Sequence, residues 1–253
     1  MEIINNIVGG RYYVLEQIGK GGFSVVYKAR DIYTKKTYAL KKYITSDPAN
    51  KKRLLEGMEK EVNVLKHCTH PVLPKIFNLI KEDGDFFLVM EYVEGTNLKQ
   101  YLKDKKRLKT KDVVDIIRQV CSGLYYLHSL TPPIIYRDLK PANIILKENG
   151  KVVLIDFGIA KRYNRDVADN LAIGSKGFAA PEQYRSFASS SIYNTDIRTD
   201  IYTVGTTFYY LLTKKKYKGK TKGILSPKIK RIIKKCTKIN PDERYQDCIE
   251  LLC

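Results

Sequence analysis

Residues Ile135 to Leu146, IYRDLKPANIIL, carry the pattern from which the rest of the chain is interpreted. This stretch begins as an apolar strand, continues as a short polar loop and ends in a second apolar run. A polar loop held between two buried runs can fix its side chains rigidly in a cleft. The polar members of this loop are Arg137, Asp138, Lys140 and Asn143.

These side chains predict a particular chemistry. Asp138 can accept a proton, Lys140 can neutralise an anion, and Asn143 can bind a hard cation through its oxygen. Asp156 follows the apolar run VVLI and places a second carboxylate at the end of a predicted strand. Two carboxylates and a lysine that converge on one cleft predict phosphate chemistry with Mg²⁺.

The two motifs together resemble a known family. Asp138-x-Lys140-x-x-Asn143, followed by Asp156-Phe157-Gly158, is similar to the catalytic loop and the metal-binding turn of protein kinases. Three fixed letters match by chance at roughly one position in 8,000, and the second motif makes coincidence negligible. The resemblance covers about residues 11–252.

The fold implied by this resemblance is α+β and bilobal, with one protein kinase domain over residues 1–253. A small β-rich N-lobe with one main helix is expected over 11–90. A hinge is expected over 91–95, and a larger, mainly helical C-lobe over 96–253.

The resemblance also assigns roles to the loop. Asp138 is expected to orient and deprotonate the acceptor hydroxyl, and Lys140 to shield charge on the γ-phosphoryl group. Asn143 and Asp156 are expected to hold Mg²⁺, with Mn²⁺ as the alternative metal. A lysine two residues after the catalytic aspartate is typical of serine/threonine kinases. The expected reaction is therefore ATP-dependent transfer to Ser or Thr hydroxyls of protein substrates, including autophosphorylation.

A glycine-rich turn, GKGGFS, lies between two predicted strands, and this position excludes a P-loop or a Rossmann turn. The turn resembles the kinase glycine-rich loop, with Gly19, Gly21 and Val26 in register and Ser24 in place of the third glycine.

Lys41 ends a third predicted strand, Tyr-Ala-Leu-Lys, and is expected to bind the α- and β-phosphates. Glu61, on a helix predicted over residues 54–66, is expected to hold Lys41 in place. The resemblance implies that the nucleotide contacts are Ile18, Gly19, Gly21, Val26, Ala39, Lys41, Met90, Glu91, Val93 and Ile145. A simple core role fits Val26, Ala39 and Ile145 equally well.

Three further positions are expected to brace the C-lobe. By resemblance, Asp200 supports the backbone of the catalytic loop from the start of a helix predicted to run to Leu212. Arg244 is expected to pair with Glu182 of the motif Ala-Pro-Glu, and Ser175 to contact the catalytic loop.

Residues 156–182 are predicted to form a long functional loop. Tyr136 stands where the family most often has histidine, and we expect its ring to pack against Phe157. The interval between Phe157 and Gly174 contains no Ser or Thr. Our hypothesis is that Asp166 or Asp169 acts as a permanent anion for Arg137. Dephosphorylated protein should then be active.

The five cysteines are odd in number and scattered, which favours reduced thiols and a cytoplasmic location. The cluster of His67, Cys68 and His70 is better explained as a helix end than as a metal site. The sequence has no signal-peptide pattern and no apolar run of about 18 residues, and a membrane tether beyond Cys253 stays open.

The formal net charge is +19, from 46 basic and 27 acidic residues. This charge could indicate nucleic acid or anionic lipid as a partner. The abundance of Lys, Ile, Asn and Tyr favours codon bias in an AT-rich genome instead. We therefore expect basic residues to be spread along the chain and no specific nucleic acid to bind.

Two alternative functions were weighed. A pseudokinase, acting as a nucleotide-binding scaffold, predicts the loss of Lys41, Asp138 or Asp156, and all three are present. A small-molecule kinase would generally lack the motif Ala-Pro-Glu.

The interval from Tyr217 to Ser226 contains no apolar helical pattern. Related kinases usually have a further helix there, which is often used to dock partners.

Overall fold

The computed structural model describes residues 3–21, 24–44, 62, 65–104, 107–157, 161–162, 174–184, 195–221, 223 and 225–252. The chain divides into two compact units, Met1–Glu94 and Gly95–Cys253. The division falls inside the segment 91–95 that was predicted as a hinge.

The N-terminal unit contains a six-stranded antiparallel sheet in the order β1-β2-β3-β4-β6-β5. Its strands are β1 (Ile7–Val8), β2 (Tyr12–Lys20), β3 (Ser24–Asp31), β4 (Thr37–Tyr43), β5 (Ile76–Glu82) and β6 (Asp85–Glu91). The two strands predicted on either side of the glycine-rich turn and the third strand predicted before Lys41 are confirmed as β2, β3 and β4. The helix predicted over 54–66 lies outside the described residues, apart from positions 62 and 65.

Alternation along the strands separates the two faces of this sheet, because successive side chains point to opposite sides. One face packs into an apolar cluster whose central members include Val25, Tyr27, Ala29, Leu40 and Val89. Leu40 and Val89 are directly opposite each other on neighbouring strands. The residues on either side of Leu40 in β4, Ala39 and Lys41, therefore face the other side.

The C-terminal unit is mainly helical, which confirms the expected α+β class. Its helices are α1 (Leu98–Asp104), α2 (Thr110–His128), α3 (Ile197–Thr213), α4 (Pro227–Cys236) and α5 (Cys248–Leu252). Helix α2 buries Val113, Ile116, Val120, Leu124 and Leu127 along one side.

Helix α3 begins earlier than predicted. Its first residue is Ile197, so Asp200 lies in the first turn and does not start the helix. Asp196 caps the helix by accepting a hydrogen bond from the Arg198 backbone N–H at 2.7 Å. The Asp196 backbone N–H in turn donates to the Thr199 hydroxyl at 3.2 Å. This reciprocal capping box fixes the start of the helix.

Short strands position the polar loop of residues 136–143. Strand β8 (Ile134–Ile135) precedes the loop, and β9 (Ile144–Leu146) follows it. Strand β9 pairs with β10 (Val152–Leu154) and with β7 (Thr96–Asn97), while β8 pairs with β11 (Lys161–Arg162). The predicted loop over 156–182 therefore contains a short strand near its start. Within the described residues, no helix is long and apolar enough to cross a membrane.

Candidate active site

Asp200 holds the backbone at the start of the polar loop. Its two carboxylate oxygens accept hydrogen bonds from the backbone N–H groups of Tyr136 and Arg137, each at 2.8 Å. The predicted brace is thus confirmed. His128, at the end of α2, adds a third contact from Nε2 to Asp200 at 2.8 Å.

The ionisation of His128 depends on this contact. Burial alone would lower the pKa of His128, but the hydrogen bond and the charge of Asp200 raise that pKa to about 9. His128 is therefore an imidazolium at neutral pH. Its Nδ1 is buried and has no hydrogen-bond partner among the described residues, although the Cys248 thiol is close enough to influence the pKa.

Other side chains bind the carbonyl groups of the same loop. Gln183 Nε2 donates to the Arg137 carbonyl at 2.9 Å, and the Thr207 hydroxyl donates to the Leu139 carbonyl at 3.2 Å. Sequence reasoning missed His128, Gln183 and Thr207. Only Gln183 carried a signal, since it directly follows the Ala-Pro-Glu motif.

Four side chains form one connected polar network around Asp138. Lys140 Nζ donates to Asp138 Oδ2 and to the Ser175 hydroxyl, both at 2.7 Å. The Ser175 hydroxyl donates to Asp138 Oδ1 at 2.7 Å, so its predicted contact with the loop is confirmed. Asn143 Nδ2 donates to Asp138 Oδ2 at 2.9 Å. Both oxygens of Asp138 are therefore fixed in direction.

Asn143 and Asp156 are brought together by the backbone. The Ile155 N–H donates to the Asn143 carbonyl at 2.9 Å, and Asp156 is the next residue. The side-chain nitrogen of Asn143, Nδ2, donates to Asp138. The side-chain oxygen of Asn143, Oδ1, is therefore the atom left to bind a cation. A carboxylate and an amide oxygen are hard ligands, so this donor set fits Mg²⁺.

Two residues of the site adopt strained backbone conformations. Arg137 has φ of 65° and Asp156 has φ of 72°, in the left-handed region. Such conformations cost of order 1–3 kcal/mol and persist where surrounding contacts determine them. At Arg137 the contacts are the bonds to Asp200 and Gln183 on either side of the residue.

Tyr136 packs against Phe157 as expected. Their ring centroids are 5.3 Å apart at an interplanar angle of 82°, an edge-to-face contact. The Tyr136 hydroxyl donates to the Ile155 carbonyl. Burial, with the charges of Asp156 and Asp138 nearby, raises the pKa of Tyr136 well above its usual value, so the phenol stays protonated.

The candidate nucleotide residues of the N-terminal unit share one face of its sheet. Val26 is opposite Lys41 on neighbouring strands, and Ala39 is opposite Met90. Since Ala39 and Lys41 are two residues apart in β4, all four side chains lie on the face opposite the apolar cluster. Lys41 is only 3% exposed, which is rare for a lysine without a specific role.

The remaining candidates occupy varied positions. Ile18 is 44% exposed, Gly19 is opposite Val26, and the Gly21 N–H closes the turn by donating to the Ser24 carbonyl at 2.7 Å. Val93 is buried, and the Glu91 N–H donates to the Lys75 carbonyl at 2.8 Å. Ile145 lies in β9 of the C-terminal unit. Glu61 and Gly158 lie outside the described residues, as do Asp166 and Asp169.

The predicted brace between Glu182 and Arg244 is confirmed. The Arg244 guanidinium binds both oxygens of Glu182, at 2.7 Å and 2.8 Å, and Arg244 is 1% exposed. Arg244 also donates to the carbonyls of Arg198, Lys238 and Ile239. The pair is a structural element that ties the segment after Ser175 to the end of the domain.

The structure also bears on the cysteines and on the rejected metal site. Cys68, Cys121, Cys236 and Cys248 are buried, and the last three are free thiols. In the part of the chain that the structure describes, no group of three or more His, Cys, Asp or Glu residues is suited to a metal ion.

Comparison with known proteins agrees with this geometry. A family profile for the protein kinase domain matches residues 12–252. The chain is 32% identical to "Serine/threonine-protein kinase PrkC" of Bacillus subtilis over 83% of the chain and 32% of that protein. It is 31% identical to "Serine/threonine-protein kinase B" of Synechocystis over 97% of the chain and 46% of that protein.

A eukaryotic relative has the same level of sequence identity to the chain. Human "Serine/threonine-protein kinase tousled-like 1" is 32% identical over 80% of the chain and 28% of its own length. The chain thus spans about a third of the length of the first curated relatives it matches. Because the profile covers nearly the whole sequence, the chain belongs to the protein kinase domain family.

Proposed function

We propose that this chain is an active kinase domain that transfers the γ-phosphoryl group of ATP to Ser or Thr hydroxyls of proteins. The observation that carries the proposal is the network in which Lys140, Ser175 and Asn143 all bind the Asp138 carboxylate. The names of the relatives support serine and threonine as acceptors.

Phosphoryl transfer requires positioning and charge neutralisation more than covalent help. Asp138 orients the acceptor hydroxyl and takes its proton as the new bond forms. Lys140 lies against Asp138 and can shield the charge that develops on the transferred group. The bonds from Asp200 to the loop backbone keep Asp138 in place before substrate arrives.

Asn143 and Asp156 would hold Mg²⁺, with Mn²⁺ as the alternative metal, and the bound ion supplies neutralisation of the phosphate charge. Lys41 would bind the α- and β-phosphates, with Glu61 as its partner. Gly19, Gly21, Val26, Ala39, Met90 and the segment from Glu91 to Val93 would surround the nucleotide. Residues 1–253 would form one kinase domain, hinged at 91–95. The free cysteines and the need for ATP support the cytoplasm as the compartment.

The test is transfer from γ-labelled ATP with Mg²⁺ or Mn²⁺, followed by mapping of the modified residues. Wild type is compared with Asp138→Asn, and Asp115→Asn is the matched control because Asp115 is on the exposed side of α2. We expect labelled Ser or Thr in wild type and in the control, and a loss of about 100-fold or more in Asp138→Asn.

Two results would contradict the proposal. Label that survives equally in Asp138→Asn would exclude a mechanism that depends on this carboxylate. ATP binding without any transfer, in wild type and in all variants, would support the nucleotide-binding scaffold instead.

A further inference from the structure

One segment of the C-terminal unit concentrates positive charge. Residues 214–238 contain twelve Lys and Arg residues and no Asp or Glu, so the basic residues, although spread along the chain, are denser here. No acidic residue occurs anywhere between Asp200 and Asp242. At the chain's average frequency, about four acidic residues would be expected in that interval. A lysine-rich composition alone does not explain their absence.

The first part of this segment is attached firmly to α3. Lys214 ends the helix in the left-handed conformation, and its ammonium group donates to the Leu102 carbonyl at 2.5 Å. The ring of Tyr217 packs edge-to-face on Tyr209, with centroids 5.4 Å apart. These contacts hold the backbone from which the exposed lysines beside them project.

A further contact brings the segment to the catalytic network. Lys216 Nζ donates to the Lys176 carbonyl at 2.8 Å, and the stem of Lys216 lies directly over Gly177. Lys176 follows Ser175, whose hydroxyl binds Asp138 at 2.7 Å. The basic segment is therefore two short contacts away from the proposed catalytic carboxylate.

Three lysines beside this contact, Lys215, Lys218 and Lys220, are called the basic strip. All three are exposed, and so is Lys176. Within the described residues, the ammonium groups of the strip form no ion pair. By contrast, Lys235 and Lys238 farther along pair with Glu250 and Glu243. The strip thus presents uncompensated positive charge on the segment that Lys216 links to Lys176, the residue after Ser175.

We propose that the basic strip, with Lys176, binds acidic side chains that flank the acceptor hydroxyl, so that this kinase selects Ser or Thr in acidic sequences. The proposal rests on the proposed function, because it assigns a substrate class to the same site. An extended peptide covers about 3.3 Å per residue, so residues a few positions from the acceptor reach beyond Ser175. Acidic protein is favoured over anionic lipid because the segment that carries the strip contacts Lys176, the residue that follows Ser175.

The test compares a serine peptide flanked by aspartates with the same peptide flanked by asparagines. Wild type should prefer the acidic peptide by about 10-fold in kcat/KM, and added salt should reduce this ratio. The triple variant Lys215→Gln, Lys218→Gln, Lys220→Gln should bring the ratio close to one. The matched control replaces Lys228, Lys230 and Lys234 of α4 by Gln. It removes the same charge and should keep the ratio.

Three results would overturn the proposal. One is a wild-type ratio close to one. Another is an equal fall of the ratio in both triple variants, which would indicate that the overall positive charge, and not the strip, attracts the acidic peptide. The third is a triple variant that keeps the ratio but no longer binds vesicles of phosphatidylcholine and phosphatidylglycerol, since the strip would then serve a membrane.

A second measurement separates this proposal from the function on which it rests. The acidic peptide is labelled with a fluorophore, and its binding to the Asp138→Asn variant is measured by fluorescence anisotropy. This measurement requires no phosphoryl transfer. If wild type transfers phosphate neither to a peptide nor to its own Ser or Thr residues, the proposed function fails. Binding of the acidic peptide that is lost in the strip variant but kept in the α4 control would still support the inference, and equal binding of both peptides would overturn it.

Discussion

Replacing Asp200 by Asn tests how the catalytic loop is held. The carboxylate accepts two backbone N–H bonds and one bond from His128, all at 2.8 Å, and its side chain is fully buried. The amide of Asn has nearly the same shape but only one oxygen. Its NH₂ group would then face a backbone N–H of Tyr136 or Arg137, so that two donors meet in a buried place.

The expected loss can be estimated from these contacts. One charge-assisted bond becomes a neutral one, a second is lost with a buried N–H left unpaired, and the imidazolium of His128 loses its anion. Together these changes should lower the free energy of unfolding by about 3–5 kcal/mol at pH 6.5. A typical domain has about 5–15 kcal/mol, so the variant should still fold.

The pH dependence has a definite sign. The pKa of His128 is raised to about 9 in the folded state from an unfolded value of about 6.5. The stability that this proton contributes is therefore fully present below about pH 6.5, and it is lost as the pH rises toward 9. In Asp200→Asn, burial would lower the pKa of His128. The stability difference between wild type and variant should therefore shrink between pH 6.5 and pH 9.

Urea denaturation of both proteins across this pH range measures the stability, and steady-state kinetics measures the site. We expect kcat to fall by about 100-fold, because a shift of about 1 Å in the loop is enough for such a loss, while KM for ATP changes little. His128→Gln is the control, since it leaves both backbone bonds in place. A stability difference under about 1 kcal/mol, or one independent of pH, would refute the reasoning.

Three further predictions follow from the same contacts. Arg244→Met should lower the free energy of unfolding by about 3–5 kcal/mol in urea denaturation, because Glu182 is left buried without its partner. The double variant Arg244→Met, Glu182→Leu should recover part of that loss. No recovery in the double variant would contradict a buried charge pair. Asn143→Ala should raise the Mg²⁺ concentration required for half-maximal transfer by about 10- to 100-fold, and an unchanged requirement would remove Asn143 from the metal site. Gly205→Ala should lower the free energy of unfolding in urea by about 1–3 kcal/mol, since the added Cβ would come 2.5 Å from Cβ of Cys236. An unchanged free energy of unfolding would show that α4 moves away without cost.

Strand and loop positions could be predicted from sequence because local patterns determine them. The alternation in β2–β4 and the apolar runs on either side of Asp138 needed no knowledge of distant residues. The start of α3 was misplaced because the cap at Asp196 depends on the pairing of Asp196 with Thr199, which is weaker in sequence than the apolar run after Asp200.

The contacts that hold the site were harder to predict from the sequence. Asp200 and Ser175 were expected only through the family resemblance, and nothing in their own neighbourhood indicates a bond to residues 136–138. The bond between His128 and Asp200 joins positions 72 residues apart. A lone histidine at a helix end usually contacts solvent, and only the packing of α2 on α3 makes this one a buried cation.

We propose that Asp138, Asn143 and Asp156 act together with Lys41 on one triphosphate. A crystal structure of the protein with a non-hydrolysable ATP analogue and Mg²⁺ tests it most directly. The account predicts Mg²⁺ bound by Asn143 and Asp156, the Lys41 ammonium on the α- and β-phosphates, and the Asp138 carboxylate facing the γ-phosphoryl group. Nucleotide bound elsewhere, or Lys41 and Asp138 on separate surfaces of the complex, would contradict it.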